Sequence, residues 1–238
     1  MLLKNFYPSS RYFFIAGFFP LVALVLGADS LWYSGENMTG QLIADLLAAI
    51  YFLALLTVLD SQEKIMAIIF VPFSAIAEYI FSSVLEVYTY RLAIVPLYVP
   101  LGHAILFSTG LMLAKLSAIA SRDKLQTILV SIQGLIFAGV IILYQDLFTA
   151  VLGLLFESIV WWRGYRLIYS IMCFLVLYIE LLGTSLGCWT WQEYAFDLFH
   201  TTNPPFGAFV FYVFGDIAIL KVTRSFTTDQ NNNLSNLN

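Results

Sequence analysis

Two carboxylates inside apolar stretches are the residues of this sequence best placed for acid–base chemistry. Glu78 is followed by Tyr88-Thr89-Tyr90, and Glu180, about 100 residues later, is followed by Trp189-Thr190-Trp191. A prolyl turn and another apolar stretch follow in each copy, with Pro96, Pro100 and Gly102 in the first and Pro204, Pro205 and Gly207 in the second. This repeated pattern of carboxylate, aromatic-Thr-aromatic and prolyl turn is called the echo below. It predicts one composite site built from two halves of a helix bundle.

A carboxyl group inside a membrane is suited to proton transfer. A charged side chain at the centre of a membrane helix costs roughly 2.5–3.5 kcal/mol on insertion scales, so it faces a bundle interior or a cavity. Burial disfavours the charged form of a carboxyl group, and a protonated glutamic acid can act as a general acid. Asp216 lies midway along the last apolar stretch, one helical turn after Tyr212, and we expect it to be the third carboxylate of the site.

Each glutamate begins a polar stripe with the spacing i, i+4 and i+8. The stripes are Glu78-Ser82-Glu86 and Glu180-Thr184-Cys188. Positions four apart share a helix face, so both stripes are expected to climb to the same membrane surface. His103 enriches only the first copy, where its ring is expected to shuttle a proton to Glu78 or Glu86. A histidine bonded only to backbone is the alternative.

Four aromatic residues end the two stripes: Tyr88, Tyr90, Trp189 and Trp191. An aromatic belt at the membrane interface accounts for them. The alternative is a paired aromatic mouth over the polar cavity, whose ring faces would bind substrate and stabilise a cation.

Composition excludes several classes of protein. Charged residues are 11% of the 238, the apolar fraction is 61% and mean hydropathy is +0.86. Soluble domains carry about 25% charged residues, so the chain belongs to the membrane class. There is no basic patch for nucleic acid. With two cysteines, two histidines and none of the common metal or cofactor motifs, we expect neither a metal nor a cofactor.

Apolar stretches predict an all-α bundle of about eight membrane spans. They are 12–28, 42–59, 65–87, 97–119, 125–144, 148–162, 167–187 and 206–222. Ten of the eleven basic residues fall on one side of this arrangement, and only Arg91 falls on the other. Because basic residues mark the cytoplasmic side, both termini are expected to be cytoplasmic in a multi-pass protein. Cleavage of 1–28 as a signal peptide is the alternative and leaves seven spans.

The echo also predicts the domain organisation. A single bundle over 1–224 would contain two halves, 12–120 and 125–222, which are parallel because each has an even number of spans. The polar segment 225–238 is expected to be a disordered cytoplasmic tail. A bacterial inner membrane and a eukaryotic endomembrane both remain open.

Three short motifs carry a resemblance: Ala77-Glu78-Tyr79, Phe214-Gly215-Asp216, and Glu180 before Gly187-Cys188-Trp189. Isolated carboxylates in a small multi-pass bundle without a metal motif resemble the integral-membrane terpenoid cyclases of meroterpenoid pathways. The pattern is also similar to membrane lycopene cyclases and carotenoid hydratases. The resemblance implies a membrane enzyme that protonates an isoprenoid or other lipid-dissolved polyene. Glu78 or Asp216 would be the acid, Glu180 the base or second carboxylate, and Trp189 with Trp191 a cation-tolerant wall.

Two other functions fit the same residues. A proton-coupled carrier or channel would relay protons through the carboxylates between its two halves. A non-catalytic membrane subunit would use the polar stripes to bind partner helices. A membrane lipid or lipid-dissolved molecule is the expected partner, and the sequence names no protein partner.

Overall fold

The chain is mostly α-helical in the computed structural model, which describes residues 9–116 and 122–235. The helices of this part are α1 (Ser9–Ala28), α2 (Leu31–Ser34), α3 (Thr39–Leu56), α4 (Ser61–Tyr79), α5 (Tyr98–Lys115), α6 (Arg122–Tyr144), α7 (Leu147–Arg163), α8 (Leu167–Ser185) and α9 (Phe209–Ser235). The end of the span predicted at 97–119, its junction with the next and the last three residues of the predicted tail lie outside the described residues. The prediction of a helical bundle is confirmed.

Six helical segments of the described part are long and apolar enough to cross a membrane. They are 9–34, 39–56, 61–84, 124–144, 167–185 and 206–223. Each coincides with one of the eight predicted spans. The other two predicted spans correspond to α5, with 18 residues, and α7, with 17 residues, and neither belongs to this set. The six helices favour a protein embedded in a membrane.

Contacts between helix ends define two ends of the bundle. At one end, Arg11 of α1 binds both carboxylate oxygens of Glu63 in the first turn of α4, and Lys115 at the end of α5 lies 2.7 Å from the same group. At the other end, the chain leaving α1 bonds to the chain leaving α8, through Leu31 N and Leu186 O at 2.9 Å. Consecutive helices therefore run in opposite directions in this part of the bundle.

Two short antiparallel strand pairs lie where α4 and α8 end. β1 (Tyr88–Tyr90) pairs with β2 (Trp189–Trp191), with Tyr88 opposite Trp191 and Tyr90 opposite Trp189. β3 (Tyr194–Ala195) pairs with β4 (Phe199–His200). An all-α fold did not predict these strands. We call the end of the bundle that carries β1 and β2 the strand end.

The β1–β2 pair joins the two copies of the echo directly. Two equivalent strands that pair antiparallel are related by a local two-fold axis. Below them, α4 and α8 each contact both α5 and α9. The equivalent helices of the two copies thus surround one common space, whereas the parallel relation of the complete halves stays a prediction.

The polar stripe predicted from Glu78 to Glu86 is wrong at its outer end. α4 passes into a π-helical turn over Ile80–Val84, closed by a bond of 2.8 Å from Leu85 N to Ile80 O. A π turn contains more residues than an α turn, so the i+4 spacing no longer keeps one face. Glu86 follows in a left-handed conformation with φ of 48° and is exposed.

The second stripe also ends early. Gly187, with φ of 70°, follows the end of α8. Cys188 is consequently not on the face of Glu180, and its thiol instead donates to the carbonyl of Leu26 at 3.3 Å.

The last helix is longer than its apolar part. α9 continues to Ser235, although the sequence predicts a disordered tail from residue 225. Adding a residue to an existing helix costs far less than starting one, so a polar segment can continue the helix that precedes it.

Candidate active site: a cavity with two carboxylates held by aromatic donors

A cavity of about 540 Å³ lies at the strand end, between α1, α3, α4, α5, α8 and α9. Ligand sites usually enclose about 300–1,000 Å³, so a small molecule or part of a lipid fits. Apolar side chains form most of its wall. The polar and aromatic groups that concern the site are Glu78, Tyr88, Tyr90, His103, Glu180, Trp189, Trp191 and Tyr212. The structure brings these predicted residues together.

Three donors surround Glu78. Tyr88 donates its hydroxyl proton to Oε2 at 2.7 Å, and Tyr90 donates to the same oxygen. His103 Nε2 lies 3.1 Å from Oε1. Alternate residues of a strand face the same side, and Tyr88 and Tyr90 are accordingly buried while Thr89 is exposed. The aromatic-Thr-aromatic pattern therefore aims two hydroxyls at one carboxylate.

The Tyr88 and Tyr90 hydroxyls stay protonated and therefore act as hydrogen-bond donors. Burial, together with the charge of neighbouring Glu78, holds the pKa of each phenol well above its usual range. Both keep their protons at neutral pH and can stabilise negative charge on Glu78.

The second copy repeats this arrangement with different chemistry. Trp189 and Trp191 donate their indole N–H groups to Oε2 of Glu180, at 2.9 Å and 3.0 Å. An indole nitrogen can only donate. Glu180 Oε1 accepts no hydrogen bond from any side chain or backbone group of the described chain. Because Glu180 lines the cavity, this oxygen is the one left for a ligand.

A glycine makes room for the indole ring. A Cβ at Gly183 would lie 1.9 Å from Cη2 of Trp189. The corresponding position after Glu78, three residues on, is Phe81, which lines the cavity. Gly183 was not predicted as a site residue, although a glycine one turn after Glu180 in an otherwise bulky helix is a signal for a close contact.

Each copy also has a buried aspartate that binds a segment next to its strand. In the first, Arg91 follows β1 and forms an ion pair with Asp29, with side chains 3% and 1% exposed. In the second, Asp146 accepts the Thr202 hydroxyl proton at 2.6 Å. Asn203 Oδ1 accepts from Trp191 N at 3.1 Å. The sequence signal for the first contact was that Arg91 stands apart from every other basic residue.

His103 and Tyr212 connect α5 and α9 beside the carboxylates. Their ring centroids are 4.7 Å apart. Both line the cavity, and the expected proton partner of His103 is thus Glu78 and not the exposed Glu86.

Four predicted site residues do not line the cavity: Ser82, Glu86, Thr184 and Asp216. Ser82 lies 3.4 Å from the Ser83 hydroxyl, and Thr184 donates to the Glu180 backbone carbonyl at 2.7 Å. Asp216 is only 1% exposed, and neither of its oxygens has a hydrogen-bond partner within the described chain. The expectation of Asp216 as a third cavity carboxylate is therefore not met.

Over residues 9–116 and 122–235, no group of three histidine, cysteine or acidic side chains is arranged to hold a metal ion. Comparisons with family models, curated proteins and solved structures find no match for this chain.

Proposed function

We propose that the protein is a multi-pass membrane enzyme that protonates an isoprenoid or another polyene lipid, as a cyclase or hydratase does. The observation that carries this proposal is that Glu180, which lines an apolar cavity, has one carboxylate oxygen without a hydrogen-bond partner in the described chain. The cavity residues supply acid–base groups, and the proposed chemistry draws on these alone.

Glu180 is the proposed proton donor. Oε2 already accepts two indole N–H bonds, so a proton on this carboxyl group resides on Oε1. Transfer of that proton to a carbon–carbon double bond leaves negative charge on the carboxylate. Trp189 and Trp191 are in place to stabilise the charge as it forms, and such preorganised donors are among the strongest contributions to catalysis.

Glu78 and His103 are the proposed proton acceptors. Three donors around Glu78 stabilise its carboxylate form, which is the form that can accept a proton. Glu78 is therefore proposed as an acceptor and not as the acid that the sequence suggested. In a cyclase, the π electrons of the lipid take the proton from Glu180 and a carbon–carbon bond closes the ring. The resulting cation then loses a proton to Glu78 or His103. In a hydratase, the cation captures water, which loses its proton to the same groups.

The proposed membrane arrangement has about eight spans with both termini in the cytoplasm. It adds α5 and α7 to the six apolar helices. The alternating directions of the helices and the placement of Arg91 away from the other basic residues support it. The two halves would be parallel and meet at the cavity.

Lipid extracts test the proposal. Cells expressing the wild-type protein, Glu180→Gln, Glu193→Gln or an empty vector are extracted and compared by mass and retention time. Glu193 is exposed just after β2, and its variant is the matched control for the loss of a carboxylate. We expect a lipid to be converted in the wild type and in Glu193→Gln, and to remain unconverted in the other two.

Identical lipid extracts from all four strains would refute the proposed enzyme activity. If proton flux into vesicles reconstituted with the protein then depended on Glu180, the carrier would replace the enzyme as the function of this cavity.

A further inference from the structure

The cavity combines two carboxylates with a shortage of positive charge. Glu78 and Glu180 both line it, and no lysine or arginine of the described residues does. Within the part of the chain that the structure describes, His103 is the one basic side chain that lines it. Arg91, which is close in sequence to β1, forms its ion pair with Asp29 and bonds to the backbone of Gly35 and Asn37.

The donors around the carboxylates are neutral. Two phenols and two indoles direct O–H or N–H groups at Glu78 and Glu180. Such dipoles stabilise a negative charge without cancelling it. When both glutamates are ionised, His103 can balance at most one of them.

Aromatic rings surround the same space. Tyr88 packs on Trp191 with ring centroids 4.6 Å apart, and Tyr90 packs on Trp189 at 6.2 Å. Tyr212 adds a ring beside His103. Aromatic faces attract organic cations, and the remaining wall of leucine, valine and phenylalanine side chains suits an alkyl chain.

We infer that this cavity binds a lipophilic organic cation, with the positive charge beside Glu180 Oε1 and the alkyl part against the apolar wall. The inference shares the cavity with the proposed function but requires no turnover. If the enzyme proposal holds, the cation formed by lipid protonation occupies the same place.

Binding of a small alkylammonium ion tests the inference. Purified full-length protein in nanodiscs of zwitterionic lipid is titrated with hexyltrimethylammonium, with neutral 1-octanol and with anionic hexanesulfonate. Affinities are measured by calorimetry, and contact is measured by saturation-transfer NMR. We expect the cation to bind at least about ten-fold more tightly than the other two, because each unit charge in a low-dielectric site interacts strongly.

Three variants locate the bound charge. Glu180→Gln and Glu78→Gln are each expected to weaken the affinity for the cation by about ten-fold or more. The affinity for 1-octanol is expected to stay unchanged in both. Glu193→Gln is expected to leave both affinities unchanged. Equal affinities for cation and alcohol in the wild type, or full cation affinity in folded Glu180→Gln, would overturn the inference.

The test keeps its force if a variant misfolds, because the comparison of the three ligands on the wild-type protein then decides alone. Its outcome is also separable from that of the lipid extracts. Cation binding with unchanged lipid extracts would support the binding site and refute the proposed enzyme activity. Lipid conversion without a preference for the cation would support the enzyme activity and refute the binding site.

Discussion

The two copies of the carboxylate–strand motif share one geometry and differ in their donors. Tyr88 and Tyr90 hold Glu78 with hydroxyl groups, whereas indole N–H groups hold Glu180. A hydroxyl can both donate and accept a hydrogen bond, and an indole N–H can only donate one. With His103 beside Glu78, the first copy is suited to accept a proton. The second copy, with two indole donors, is suited to stabilise the charge left when a proton leaves Glu180.

The residues after the two matching glycines sharpen this difference. His103 follows Gly102 and reaches Glu78, while Ala208 follows Gly207 and also lines the cavity. Only the first copy has a titratable ring at this place. The difference teaches that a nearly two-fold frame can present different chemistry at equivalent positions when a few side chains diverge.

The largest expected effect separates the two carboxylates. Glu180→Gln is expected to lower lipid conversion by about 10²–10⁴-fold, the usual contribution of a general acid. Glu78→Gln is expected to lower lipid conversion by a smaller factor, because His103 remains to accept the proton. Product formation per unit of folded protein is the measurement, and equal losses for the two variants would contradict the division of roles.

The contacts of the two buried aspartates, Asp29 and Asp146, are expected to differ in stability. Arg91→Met leaves Asp29 as a buried unpaired charge, which costs about 3–5 kcal/mol. Asp146→Asn keeps a side chain of the same size, and the groups that donate to Asp146 are neutral. A loss of about 1–3 kcal/mol in the free energy of unfolding is therefore expected. The free energy of unfolding in mixed detergent micelles is measured for both variants. An Asp146→Asn protein less stable than Arg91→Met would reverse this ranking.

His103→Ala tests the proton acceptor proposed for the first copy. It removes a hydrogen bond to a charged group, worth about 1.5–3 kcal/mol, so conversion is expected to fall by about 10–100-fold. Ala208→Gly, the matched change in the second copy, is expected to change conversion by less than about three-fold. A larger loss in Ala208→Gly would show that the asymmetry does not depend on the histidine.

Gly183→Ala tests the space that the larger indole needs. The added Cβ clashes with Trp189, and displacing the ring breaks its bond to Glu180, with an expected cost of about 1–3 kcal/mol. Gly134→Ala on α6 has no atom within 4 Å of the new Cβ and is expected to stabilise the helix by about 0.5–1 kcal/mol. Near-ultraviolet circular dichroism and unfolding curves report both. An unchanged tryptophan signal in Gly183→Ala would contradict the contact.

The smallest effect is expected at the centres of the two strands. Thr89 and Thr190 are exposed between buried aromatic residues. Thr89→Ser and Thr190→Ser are each expected to change the free energy of unfolding by no more than about 0.5 kcal/mol. A large loss at either position would mean that the threonines, and not only the rings, bind another part of the protein.

Local sequence patterns were sufficient for the helices and for part of the site. Long apolar stretches predicted the membrane-type helices, because burial of a helix surface follows from residue type and spacing. The echo predicted that Glu78, Glu180 and the four aromatic residues belong to one site. His103 was also predicted, with Glu78 as one of its two candidate partners.

Tertiary structure alone decided which predicted residues meet. The π turn directs Glu86 away from Glu78, and Asp216 lies buried outside the cavity wall. Both outcomes depend on how helices rotate and end, which a fixed i+4 spacing does not capture.

The sequence by itself determined the membrane-type helices and the repeated carboxylate–aromatic motif. Only the tertiary structure decided that β1 and β2 pair and that each aromatic pair binds the carboxylate of its own copy. It also decided that one oxygen of Glu180 has no hydrogen-bond partner among the described residues. The physical reason is that helix formation depends on neighbouring residues, whereas these contacts depend on strands about 100 residues apart and on the space left by Gly183.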